Sequence, residues 1–206
     1  MLHKGDKYTI TTEEIDGQLR AVKTDGERKL TMPYYPERDS SALAGSIDEV
    51  TVWSILRDIA KSLPSETPVS PEHILIDGDN FVLSEWSRSH DVRFNAHEGY
   101  SDIWALGASV FSLLIACDVF NGRGGAMQTA TTPIPRISSA DSDLSDTVAA
   151  CLAYNPADRP TADEIVKLAE SALQRYGQLK NEPKLKSFVS HASVDELDLL
   201  WPEEME

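Results

Sequence analysis

The stretch Ser101-Asp102-Ile103-Trp104-Ala105-Leu106-Gly107-Ala108-Ser109-Val110-Phe111-Ser112-Leu113-Leu114-Ile115-Ala116-Cys117 decides the fold. From Ile103 to Cys117 it carries no charge, and it is bounded by Asp102 and Asp118. A bilayer span needs about 20 apolar residues, so this run is too short to cross a membrane. A helix that is apolar on every side must be enclosed by other protein elements. Residues 102–116 are therefore the predicted centre of a helical body.

The flanking sequence supplies elements to enclose it. Downstream, Leu144, Val148, Cys151 and Leu152 recur at helical spacing and stop before Asn155-Pro156. Thr161-x-x-Glu164 is a capping box for a last helix with a predicted buried face of Ile165, Leu168, Ala172 and Leu173. Gly177 is the predicted left-handed stop of that helix. The Gly/Thr/Pro-rich stretch 121–139 predicts an irregular connection. Within it, Gly122-Arg123-Gly124-Gly125 reads as a turn, because the preceding strand and following Lys-Ser/Thr of a phosphate loop are missing.

Upstream, Ile74-Leu75-Ile76 and Phe81-Val82-Leu83 flank Asp77-Gly78-Asp79-Asn80 and predict a hairpin. Ser46-x-x-Glu49 reads as a capping box opening a helix whose buried face is Val52, Leu56, Ile59 and Leu63, with Pro64 as its stop. In the first forty residues Tyr8–Thr11, Leu19–Val22 and Leu30–Met32 alternate as strands, with Asp25-Gly26 as a turn. They predict a three-stranded meander. The expected class is α+β, divided into a β-stranded part at 1–45, a helical part at 46–179 and an acidic tail at 180–206.

Composition narrows the function classes. The chain has 206 residues, 41% of them apolar, and a formal net charge of −15. That charge repels phosphate backbones and anionic lipid, which argues against nucleic acid and membrane surfaces as partners and leaves a basic one open. Met1 to Asp6 lacks the apolar stretch of a secretory leader, and Cys117 and Cys151 both fall in apolar helical patterns. A cytoplasmic location is expected. The tail carries Leu197, Leu199, Leu200 and Trp201 among acidic residues. It reads either as a segment docked on its own domain or disordered, or as a short motif whose Leu199, Leu200 and Trp201 bind a partner.

In order, the helix from Val52, the hairpin around Asp77, the Ser-Asp-Ile-Trp-Ala-Leu-Gly opening at 101–107 and Asn155-Pro156-Ala157-Asp158-Arg159-Pro160-Thr161 resemble the C-lobe of protein kinases. The resemblance implies a mainly helical lobe in which Asp102 organises the catalytic-loop backbone beside Trp104. It also implies that Arg159 pairs with the glutamate closing the activation segment, here Glu98. Lys7-Tyr8-Thr9-Ile10 and Arg28 to Pro36 look like the first and third strands of bacterial serine/threonine kinases. Between Pro36 and Ser46 there is no room for the regulatory helix and two further strands, so the N-lobe would be a truncated remnant.

Phosphoryl transfer needs a glycine loop and a lysine for the phosphates, carboxylate and amide groups for the metal, and an aspartate for the nucleophile. Aligned on the resemblance, the glycine loop is absent, with only Gly17 between the first two strands, and Met32 stands for the lysine. Lys23 falls on the strand before. In the stretch Glu66 to His73, Pro68 replaces the catalytic aspartate, Ser70 the lysine and His73 the asparagine. Glu85-Trp86-Ser87 stands for Asp-Phe-Gly, so only His73 and Glu85 remain as cofactor-facing candidates, and the segment from Ser87 to Ser101 is shortened.

No catalytic residue, metal site or cofactor is expected. His90, His97 and Glu98 lack metal-site spacing and read as a solvated loop. The expectation is a pseudokinase, inactive as an enzyme, that binds a protein partner whose identity the residues do not give. Two alternatives stay open. One is an atypical nucleotide sensor or phosphotransferase using Glu85 and His73; the other is a half-assembly completed by a partner chain or, as a homo-oligomer, by a second copy.

Overall fold

In the computed structural model, the described residues are 3–4, 9–25, 28–37, 39–65, 68–84 and 91–181. They form an α+β chain. A four-stranded antiparallel sheet runs in the order β1 (His3–Lys4), β2 (Thr9–Ile15), β3 (Gln18–Asp25) and β4 (Arg28–Pro33). The expected meander is therefore one strand short, because His3 and Lys4 pair with Ile10 and Thr9 along the free edge of β2. Two residues are too few to show a period-two pattern, so this strand leaves no trace in the sequence. The Asp25-Gly26 turn and Tyr8 fall partly or wholly outside the described residues.

Between β2 and β3 the chain reverses in two residues. Asp16 and Gly17 both take positive φ, 51° and 75°, the geometry of a tight hairpin turn matched to strand twist. Ala21, Val22 and Met32 are buried, with Ala21 opposite Met32 in register. The polar linker that follows is anchored to the helical residues. Buried Ser40 donates its hydroxyl to the Pro71 carbonyl at 2.9 Å, Asp39 bridges to Leu75, and the Gly45 amide donates to Leu113 O at 2.7 Å.

Helix α1 (Glu49–Lys61) begins two residues later than a Ser46 cap would place it. Asp48 is the N-cap, accepting from the Thr51 amide at 2.7 Å, while the Ser46 hydroxyl turns back to Leu43 O. A carboxylate so placed satisfies a free amide and also complements the helix dipole. Val52, Leu56 and Ile59 are fully buried as expected from their spacing. On the same helix Asp58 accepts from the Phe81 amide at 3.1 Å, tying α1 to the hairpin of β5 (Ile74–Asp77) and β6 (Asn80–Leu83).

Helix α2 (Asp102–Ile115) is the enclosed element, with every residue from Trp104 to Phe111 buried. It ends at Ala116 in the left-handed conformation, φ 56°. Gly107 lets α3 (Ser142–Cys151) approach, since a Cβ there would stand 2.6 Å from that of Cys151. Burial pushes the Cys151 thiol up to about 12, so it stays protonated as a core group. Cys117, by contrast, lies beyond the helix and is exposed. The Gly122–Gly125 turn packs closely: a Cβ on Gly124 would be 2.2 Å from Val92 O, and one on Gly125 2.8 Å from the His97 amide.

Helix α4 (Ala162–Asn181) opens on the Thr161/Glu164 box, whose reciprocal bonds measure 2.8 Å and 3.3 Å. Two expectations fail along it. Leu168 is 47% exposed, with Ala169 buried in its stead, and Gly177 lies inside the helix. Tyr176 donates to Glu49 of α1, and the packing of α1 on α4 carries the helix through a residue that costs about 1 kcal/mol relative to alanine. No helix among the described residues is long and apolar enough to cross a membrane.

Candidate functional site

The residues singled out by sequence gather around the start of α2. Loop 68–73 lies on one side, and there Val69, Ser70 and Pro71 are buried. Its backbone is held from α2 and the segment before it. Tyr100 Oη accepts from the Val69 amide at 2.7 Å, and Asp102 Oδ2 accepts from the Ser65 amide at 3.4 Å. Burial first, then the Asp102 charge, pushes the Tyr100 phenol up, so it remains a neutral hydroxyl. Asp102 Oδ1 is buried with no hydrogen-bond partner.

His73 faces its own loop. Its Nδ1 is 2.8 Å from Pro68 O and 3.2 Å from Ser70 Oγ. Since a carbonyl only accepts, the shorter contact places the proton on Nδ1. Glu85, the other cofactor-facing candidate, lies outside the described residues, as do Glu66, Thr67, Trp86, Ser87 and His90.

On the other side Arg159 meets Glu98. The guanidinium is 3% exposed and contacts both Glu98 oxygens, with Nη2 to Oε2 at 3.1 Å. Its remaining donors reach Ser101 Oγ (3.1 Å), Ala153 O (2.8 Å) and Tyr154 O (3.1 Å). A buried guanidinium satisfied on every side joins the chain before α2 to the turn before α4. Burial acts to raise the Glu98 carboxyl, but the Arg159 hydrogen bond and charge outweigh it and leave it below the usual value.

His97 is not solvated as its spacing suggested. It is half-buried, stacked on Tyr154 with ring centres 3.8 Å apart. Its Nδ1 lies 2.8 Å from Glu98 Oε2 without the alignment of a hydrogen bond. Trp104 is fully buried and donates to Gln128 Oε1 at 3.3 Å, and Gln128 in turn donates to Leu152 O at 2.8 Å. This buried polar chain fixes the irregular 121–139 stretch onto α2 and α3.

A second ion-pair cluster has no sequence signature. Arg93 contacts Asp91 (2.7 Å), Glu72 (3.2 Å) and Asp118 (3.4 Å), residues from three separate segments. The hydrogen bond to Asp91 is the main cause of a raised Arg93 pKa, and Arg93 in turn lowers Asp91. Nothing in the Asp-x-Arg spacing separates this cluster from a solvated turn. Only the fold brings Glu72 and Asp118 within reach.

The arrangement holds loop 68–73 and segment 91–101 in fixed relation to α2. Among the described residues, no group of three His, Cys, Asp or Glu side chains is placed to hold a metal ion. Leu199, Leu200 and Trp201 lie outside the described residues. Comparison with protein-family models gives no match, and comparison with curated proteins gives none either.

Proposed function

We propose that this chain is a catalytically inactive, protein-kinase-like domain that acts as a protein-interaction or regulatory module. One observation carries the reading. His73, at the position where the resemblance puts a metal-binding asparagine, commits Nδ1 to Pro68 O at 2.8 Å, and Pro68 stands where the catalytic aspartate would be. Pro68 offers only its backbone carbonyl there and has no side-chain carboxylate with which to activate a nucleophile. Met32, at the lysine position, is buried and carries no charge for a phosphate. Losing these groups together removes most of the electrostatic stabilisation on which phosphoryl transfer depends.

Supporting contacts remain where the chemistry is gone. Asp102 reaches the Ser65 amide just before the loop, and Glu98 meets Arg159. A scaffold kept in order without its reactive groups suits a surface that a protein partner recognises. Thermal melting with and without millimolar ATP plus magnesium or manganese tests this. A ligand at one hundred times its Kd adds about 2.7 kcal/mol, a rise of several degrees in a chain of this size. The expected result is no shift, and a metal-dependent rise overturns the proposal.

A further inference from the structure

Strand β4 (Arg28–Pro33) forms one side of the four-stranded sheet, and among the described residues no strand pairs with its outer edge. The Tyr34 amide donates to Leu19 O at 3.3 Å, and main-chain bonding alternates along an antiparallel pair. Arg28, Leu30 and Met32 therefore bond inward to β3, while Lys29, Thr31 and Pro33 turn their main-chain groups outward. Lys29, Leu30, Thr31 and Pro33 are all exposed. Such an edge is a template for a further strand unless charge or proline guards it. Here the charge is drawn away, because the Lys29 side chain reaches across β3 to Glu13 of β2 at 2.5 Å. Pro33 removes an outward donor only at the end of the strand. The N–H groups of Lys29 and Thr31 stay open.

We propose that β4 pairs with β4 of a second copy, antiparallel and two-fold symmetric about Thr31, joining the two sheets into one. In that register each Thr31 exchanges both main-chain bonds with its counterpart, and each Lys29 N–H meets the Pro33 carbonyl of the other copy. Every outward N–H of β4 then has an acceptor. On one face Leu30, 49% exposed, lies beside Met32 of the other copy and continues the buried Ala21 and Met32 pair across the seam. Charge favours this occupant and this register. The chain carries a net charge of −15, so two copies repel over most of their surfaces, yet Arg28–Pro33 contains no acid. About Thr31 the two Lys29 side chains stand four positions apart, whereas a slip to symmetry about Leu30 would make them diagonal neighbours. The inference rests on the open edge and requires no kinase ancestry.

Sedimentation of the full chain across the micromolar range tests it, comparing wild type with Thr31→Pro and Leu30→Glu. Thr31→Pro removes an outward donor and leaves the bonds to β3 in place. Oxidative cross-linking of Thr31→Cys and of Leu30→Cys, each with Cys117→Ser, reads the register. The expected result is a reversible wild-type dimer, at least tenfold weaker in Thr31→Pro and in Leu30→Glu. Cross-linking should be faster at position 31, where the paired Cα atoms lie about 5.5 Å apart and within disulfide range, than at position 30, where they would be diagonal and about 7–8 Å apart. Leu30→Glu and the cross-linking pair decide the question without Thr31→Pro should that variant lose its fold. A wild type that stays monomeric across the range overturns the proposal. So does a dimer that Leu30→Glu leaves intact, or faster cross-linking at position 30 than at position 31.

Discussion

Arg159 and Glu98, 61 positions apart, meet through both carboxylate oxygens while the guanidinium is only 3% exposed and the carboxylate 31%. The burial is asymmetric, and that sets what each substitution costs. Removing the carboxylate strands a buried cation, the expensive half of a broken pair. Glu98→Gln should lower stability by about 2 kcal/mol, below the full buried-pair value because Glu98 keeps some solvent screening. Urea denaturation of the two proteins measures it. The pH dependence has a definite sign. Because the folded Glu98 pKa is depressed, its contribution is complete above the unfolded carboxylate value of about 4.3. It is lost as pH falls through the lower folded value. Glu98→Gln should therefore show a shallower loss of stability between neutral and acid pH.

The Tyr100 hydroxyl, which lies between the Val69 amide and Asp102, offers a second test. It accepts from the Val69 amide at 2.7 Å in a largely buried setting. Tyr100→Phe leaves that N–H without this acceptor at almost constant volume, and an unsatisfied buried donor costs about 1–3 kcal/mol. The expected outcome is a lower denaturation midpoint with an unchanged m-value, together with faster exchange of the Val69 amide.

The start of α1 separates two candidate caps. Asp48→Ala should cost about 1 kcal/mol, the usual value of a lost N-cap, whereas Ser46→Ala should change stability by less than about 0.5 kcal/mol, as expected of an exposed surface site. Equal effects on the melting temperature would return the capping role to Ser46.

Gly107→Ala tests the approach of α2 and α3. The new Cβ would stand 2.6 Å from the Cβ of Cys151 and 3.4 Å from Val148 O, and overpacking of this kind costs about 1–3 kcal/mol. Because the clash is between Cβ atoms, adding Cys151→Ala should not restore the melting temperature. Recovery in the double variant would show that the thiol is what obstructs.

Periodicity and caps located most of the helical elements, because each is a local rule. The uncharged run from Ile103 announced a buried helix, and Thr161 and Glu164 marked where α4 begins. Where two local rules competed, the residues did not decide between them. Ser46 and Asp48 are both good caps, and only the bond from Ser46 to Leu43 O shows which is engaged. Gly177 is a common helix stop, yet Tyr176 reaches Glu49 and the helix continues.

The candidate site divides along the same line. Arg159 and its partner Glu98 could be chosen from sequence because an arginine between two helices needs a carboxylate if it is buried, whereas Asp102 was marked only by the resemblance of residues 101–107. The role of His73 could not be chosen, since nothing in Ser70-Pro71-Glu72-His73 says that the imidazole will turn to Pro68 O. Nor could the grouping of Glu72, Asp91 and Asp118 around Arg93, whose members come from three segments.

By itself the sequence determined the class of the fold, the helix that fills its centre and the charges that had to be neutralised, because hydrophobic periodicity and the cost of a buried charge act locally. Tertiary structure alone decided which side chains meet across long separations, which leucines of α4 stay exposed and which way His73 faces. Those outcomes depend on where distant backbone carbonyls and carboxylates come to rest, and that position is set by packing of the whole chain.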